Sequence, residues 1–225
     1  CVINDISDYK LDKLVSRTAG RPLAIGNISI IEAWVFFIVL ALISFALLWF
    51  TNALTIKLSI FFGFLIVLYP ITKRFISAPQ FVLGITFGSG SLIAYSLETS
   101  VFSASILTLY IGIVAWIISF DTYYALQDKN DDLEIGVNST AILWAENAII
   151  YSKVLHLAFY ASLLTIAIIN SFSYFFFFIF IGLFYLFLHQ NKLLKNSDYL
   201  GAFKINNWIG IISVSGFALE IIFLN

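Results

Sequence analysis

From residue 29 to residue 224 the chain is a succession of apolar stretches, each close to bilayer length, separated by short polar breaks. A helix needs about 20 apolar residues to cross the hydrocarbon core of a membrane. Seven stretches fit that requirement: 29–50, 53–70, 79–97, 101–121, 144–169, 172–190 and 206–224. Turn signals at Thr51-Asn52 and Asn170-Ser171 separate close pairs, and Pro70 and Pro79 bracket the break YPITKRFISAPQ. Composition removes the soluble alternative. Only 11% of residues are charged and 61% are hydrophobic, whereas a soluble domain carries about 25% charge. The expected fold is all-α, a polytopic membrane helical bundle with seven transmembrane helices in a lipid bilayer.

The charges then orient the bundle. Ten of the twelve Lys and Arg residues lie in four polar segments. These hold Lys10, Lys13, Arg17 and Arg21; then Lys73 and Arg74; then Lys129; then Lys192, Lys195 and Lys204. Alternate threading of seven spans puts all four segments on one face, which the positive-inside rule makes cytoplasmic or its organellar equivalent. The opposite connections, near 51–53, 98–100 and 170–172, are short and nearly uncharged. A net charge of −1 gives no basis for nucleic-acid binding. The lone Cys1 excludes an internal disulfide and reads as an ordinary thiol. No methionine occurs, even at position 1, and the first residues carry no secretory signal pattern. The chain is therefore expected to be N-terminally incomplete.

Two acidic stretches interrupt this apolar background, both on the basic face. In NDISDYKLD, Asn4, Asp8 and Asp12 are four apart and share one helical face, with Asp5 beside them. In DTYYALQDKNDD, Asp128 and Asp132 repeat that spacing, with Asp121 upstream and Asp131 adjacent. Carboxylates crowded near a membrane are costly unless cations compensate. An all-oxygen donor set suits Mg²⁺ or Ca²⁺ rather than zinc. The twelve-residue calcium-loop pattern is excluded, because its glycine and glutamate positions hold Leu133 and Ser139. Two acidic faces meeting across a cavity could hold two Mg²⁺ ions with a diphosphate between them. Lys10, Arg17, Arg21, Lys73 and Arg74 stand ready to serve the same anion. His156 and His189 read as packing or helix-end residues, and the glycines of LGITFGSG as close-packing positions.

The residues around these aspartates carry a resemblance. NDISDYKLDKLVSRTAGRPLAIG, YPITKRFISAPQFVLG and DTYYALQDKNDDLEIGVNSTA resemble three motifs of the UbiA-type intramembrane prenyltransferases, in the family's order. The third is similar to that of the 4-hydroxybenzoate polyprenyltransferase branch, and the likeness runs over essentially the whole chain. The resemblance implies a family fold of nine transmembrane helices, of which this chain would lack the first and most of the second. Residues 1–225 would form a single prenyltransferase membrane domain.

The resemblance also implies the chemistry: Mg²⁺-dependent transfer of a polyprenyl group from polyprenyl diphosphate to the 3-position of 4-hydroxybenzoate, in ubiquinone biosynthesis. Asn4, Asp5, Asp8 and Asp12 would form the first Mg²⁺–diphosphate site, and Asp128, Asp131 and Asp132 the second. Asp8, Asp12, Asp128 and Asp132 would carry catalysis. Arg17, Arg21, Tyr69, Lys73 and Arg74 would hold the diphosphate. The expected location is the bacterial inner membrane, with the mitochondrial inner membrane as alternative, and the site on the cytoplasmic or matrix side. Another aromatic or haem prenyltransferase of the same family is the nearest alternative. A membrane cation transporter is the alternative from a different class. It would call for polar groups near the midplane, whereas Glu32, Glu146 and Glu220 lie near span ends.

Overall fold

A computed structural model describes residues 2–15 and 17–224; Cys1 lies outside the described residues. The described residues form helices α1 (Val2–Asp12), α2 (Ile30–Leu48), α3 (Ala53–Thr72), α4 (Pro79–Ser96), α5 (Ala104–Ile135), α6 (Thr140–Leu143), α7 (Ala148–Ile169), α8 (Ile179–Lys195), α9 (Tyr199–Lys204) and α10 (Asn206–Leu219). Each of the seven apolar stretches overlaps one long helix. The helix starts follow local chemistry. Ser29 and Glu32 close a capping box at α2, and the side chains of Asn52 and Ser103 cap α3 and α5. Pro79 occupies the first turn of α4, where its missing N–H costs nothing.

Six of these helical segments are long and apolar enough to cross a membrane, not seven. The exception is α4, which carries Gln80, Thr86, Ser89 and three glycines. It nevertheless runs alongside α3 from end to end. At one end Ser96 Oγ lies 2.8 Å from Thr55 Oγ1, and at the other Gln80 reaches the cavity described below. Its small residues serve close packing. A Cβ on Gly84 would meet Ile118 and the Val114 carbonyl at 3.0 Å. A helix so enclosed by protein has less need of an apolar surface than its neighbours.

The larger departure from the sequence expectation is α5. The apolar run ends near residue 121, but the helix continues to Ile135, 32 residues in all. Nothing between 121 and 135 breaks a helix. Termination comes at Gly136, whose φ of +72° is open to glycine, with its N–H bonded to the Asp132 carbonyl. The second acidic set is therefore helical rather than loop.

Three small cores hold the bundle, one of them formed by Tyr123 of α5, Leu194 of α8 and Ala202 of α9. Phe159, Leu163, Leu183, Leu186 and Ile209 join α7, α8 and α10, and Phe62, Leu92 and Ile106 join α3, α4 and α5. Trp116 stacks on Phe159 at 4.6 Å and donates its indole N–H to Asn206 at 2.7 Å. Outside these cores large apolar side chains face outward along every long helix, as a lipid-facing surface requires. Several buried hydroxyls are satisfied within their own helices, as in Thr86 to Val82 and Ser152 to Ala148. Of the acids near span ends, Glu32 serves the α2 cap, and Glu220 accepts from the Ser173 N–H at 2.6 Å and hydroxyl at 2.7 Å.

Candidate active site

The cavity opens where α1, the 13–29 segment, the end of α3, the start of α4 and the end of α5 converge. Its volume is about 560 Å³. Along α5, Asp121, Tyr124, Asp128 and Asp132 recur at steps of three and four, so one face of the helix presents them all. Asn4, Asp5, Asp8 and Asp12 of α1 line the opposite wall. Pro70 lies inside the last turn of α3, which ends at Thr72 and delivers Lys73 and Arg74 to the cavity.

The basic residues bridge these walls. Arg21 donates to Asp5 at 3.0 Å and to both oxygens of Asp12 at 3.0 and 3.1 Å. Arg17 forms a two-pronged pair with Asp128, 111 residues away, and lies 4.3 Å over the Tyr124 ring. Lys73 reaches Asn4 at 3.2 Å and Asp8 at 3.1 Å. Its ammonium is 5.7 Å from the Tyr69 ring. Arg74, half-exposed, donates to the Ser7 carbonyl at 3.0 Å and lies 3.9 Å from Asp8. Thr18 holds the 13–29 segment against α1 by bonding the Asp12 carbonyl.

Asp8 and Asp12 are each only 7% exposed, so these pairs compensate charges that water cannot reach freely. Burial pushes the Asp12 carboxyl above the usual carboxylate range even against the pull of Arg21. Burial also works against charge on Arg17, but the Asp128 pairing outweighs it and holds the guanidinium above its ordinary value.

Every site residue expected from the sequence lines this cavity except Lys10, which is exposed on the outer side of α1, and Asp131, which sits at the edge of the α5 acidic face. The cavity also contains residues to which the sequence reading gave no role. Gln80, almost fully buried, accepts the Thr140 N–H at 2.9 Å, and Asn138 ties the segment after α5 to the Lys73 carbonyl at 3.0 Å. A polar amide one residue after a helix-starting proline was the available signal for Gln80. Away from the acidic walls the lining turns apolar, with Ile66, Leu83, Phe87, Ile117 and Phe203.

The donor set fits a hard divalent cation. The cavity presents carboxylate and amide oxygens with no imidazole or thiol, and sets six carboxylates against four cationic side chains. An anionic ligand would deepen that excess of negative charge, so it needs added cations. Among the described residues no three carboxylates close on one point, since Arg17, Arg21 and Lys73 bridge them. A diphosphate offers these basic groups an alternative partner and would leave carboxylate oxygens for metal.

The UbiA prenyltransferase family profile matches residues 1–210. The chain is 36% identical to 4-hydroxybenzoate octaprenyltransferase of Tolumonas auensis, covering 97% of this chain and 78% of that protein. It is 37% identical to the enzyme of that name from Saccharophagus degradans, covering 100% of this chain and 76% of that protein. Its fold is similar to the apo structure of a UbiA homolog from Aeropyrum pernix K1, with a TM-score of 0.85 and 25% identity over 98% of this chain and 84% of that one. A digeranylgeranylglyceryl phosphate synthase shares the fold alone, at a TM-score of 0.70 and 21% identity over 97% of this chain and 79% of that one.

Proposed function

Because this chain belongs to the UbiA prenyltransferase family, we propose that it transfers a polyprenyl group from polyprenyl diphosphate to the 3-position of 4-hydroxybenzoate, in a Mg²⁺-dependent step toward ubiquinone. The observation that carries this reading is the cavity itself. Two carboxylate walls bridged by Arg17, Arg21 and Lys73 lie at one end, and an apolar lining suited to a prenyl chain at the other.

Asn4, Asp5, Asp8 and Asp12 would hold one Mg²⁺ and Asp128 and Asp132 a second, with Asp131 at the margin. Bound there, Mg²⁺ would neutralise charge developing on the diphosphate as the carbon–oxygen bond breaks. Arg17, Arg21, Lys73 and Arg74 orient the diphosphate by charge-assisted hydrogen bonds, and Tyr69 closes the cavity beside Lys73. The bond to C1 breaks with its electron pair leaving on the diphosphate, and an allylic cation develops. The ring carbon ortho to the acceptor hydroxyl attacks C1, and loss of that carbon's proton restores aromaticity. The apolar lining of the cavity, with lipid beyond it, would keep water from the cation.

Residues 1–225 act as a single membrane domain. The basic end of the bundle supports a site on the cytoplasmic side of a bacterial inner membrane, or on the matrix side of a mitochondrial one.

The test is prenyl transfer in membranes of cells expressing the complete reading frame, with ring-labelled 4-hydroxybenzoate, a polyprenyl diphosphate, and Mg²⁺ present or chelated. Label should move into the lipid phase only with Mg²⁺. Verified, folded protein that moves none refutes the acceptor assignment. Transfer undiminished by chelation refutes the metal sites.

A further inference from the structure

The prenyl-transfer reading leaves one proton without an acceptor, and one cavity carboxylate without a task. Among the described residues Asp5, Asp8, Asp12 and Asp128 are each engaged with Arg or Lys. None of these can take a proton without giving up its ion pair. Asp132 sits in the last turn of α5, at the polar mouth. Asp121 lies elsewhere. At 1.5 Å per residue it is about 10 Å further along α5 than Asp128 and about 16 Å further than Asp132. It stands beside Ile117 and Phe120, where the lining changes from acidic to apolar. That boundary is where C1 of a prenyl chain must lie if its diphosphate is held by the basic residues and its tail by the apolar ones.

The structure also orients this carboxylate. Asp121 lies beside the Gln80 side chain and near the charges of Lys73 and Asp128. Gln80 is 5% exposed, and its Oε1 is occupied by the Thr140 N–H at 2.9 Å. That backbone donor fixes the amide, so its NH₂ end is the one that faces Asp121. Thr140 is fixed in turn, its hydroxyl 2.7 Å from that of Thr122 on α5. A rigid neutral donor thus aims the Asp121 carboxylate without neutralising it.

We propose that Asp121 is the base that accepts the ring proton, and that Gln80 is its positioning residue. This inference rests on the prenyl-transfer reading. After C1 joins the ring, the C–H bond at that carbon breaks. The proton passes to an Asp121 oxygen and the bonding pair returns to the ring. The departing diphosphate has already taken the C1–O pair, so the products are prenylated acceptor, diphosphate and one proton.

The experiment measures three quantities in wild type, Asp121→Asn, Asp121→Glu and Gln80→Leu: prenylated product, diphosphate released, and the isotope effect with 4-hydroxybenzoate deuterated at ring positions 3 and 5. Wild type should show no isotope effect, because proton loss follows the slow step. Asp121→Asn should lose about 10²-fold in product formation, the scale of a general base. It should still release diphosphate in excess over product, and a primary isotope effect should emerge. Asp121→Glu retains a carboxylate and should recover part of the rate, which controls for folding. Gln80→Leu should lower kcat and reveal the isotope effect with KM for the diphosphate unchanged. Asp121→Asn turning over at the wild-type rate, or losing diphosphate release in step with product, overturns the assignment. A wild-type protein that makes no product refutes the prenyl-transfer reading instead, so the two failures are distinguishable.

Discussion

Arg21 holds three carboxylate oxygens, one of Asp5 and two of Asp12, and Asp12 is 7% exposed. Removing it strands a buried charge, so Arg21→Ala should cost about 1–3 kcal/mol at neutral pH. The sign of the pH dependence follows from Asp12. Burial has already raised its carboxyl above the unfolded value, and loss of Arg21 raises it further. The cost is therefore full above the variant's Asp12 pKa and vanishes below the wild-type one, where the carboxyl is protonated in both folded proteins. Thermal unfolding in detergent should show a smaller gap between variant and wild type at pH 4 than at pH 7. Asp132→Asn makes the opposite case. Its carboxylate stands near Asp128 and Asp131 on a crowded wall, so neutralising it relieves repulsion. Unfolding temperature should hold or rise while turnover falls about 10²-fold or more. A parallel loss of both would assign Asp132 a structural role.

At the level of elements, α5 does most of the positioning. Its cavity face carries Asp121, Asp128 and Asp132, and its other side docks on α7. That docking depends on Gly112, where a Cβ would fall 2.6 Å from the Ser162 Cβ. Gly112→Ala should destabilise by about 1–3 kcal/mol through overpacking. The double variant Gly112→Ala/Ser162→Gly should recover most of it, which a melting series can check. Further along α7, His156 is fully buried against Tyr160 and Phe187, and neither ring nitrogen is hydrogen-bonded among the described residues. An unpaired imidazole costs about 1–3 kcal/mol when buried. His156→Phe should therefore raise the unfolding temperature and leave turnover unchanged; a fall in stability would mean that the imidazole is satisfied in the membrane.

For the whole molecule, the charge asymmetry and the cavity lie at the same end. Lys73 and Arg74 line the site, and Lys192, Lys195 and Lys204 follow the helices that return to it. In a Cys1→Ser background, single cysteines at Lys192 and Glu98 should label from opposite sides of the membrane, with Lys192 on the cytoplasmic side. Labelling of both from one side would break the proposed orientation.

The sequence by itself determined the helical class, because backbone groups in lipid must be satisfied within the helix and apolar runs of fixed length betray the spans. It also marked the acidic faces of α1 and α5, because four-residue spacing is a local property of a helix. It could not place the end of α5, since a polar helical extension lacks the apolar signature and only the packing around Gly136 shows where it stops. It overcounted the apolar spans at α4, where small residues pack against protein. The pairings were beyond it altogether. Arg17 meets Asp128 across 111 residues and Lys73 meets Asp8 across 65. Gln80 faces Asp121 only because Thr140 returns to cap its oxygen. Such contacts are set by how distant helices dock, and no local spacing encodes them.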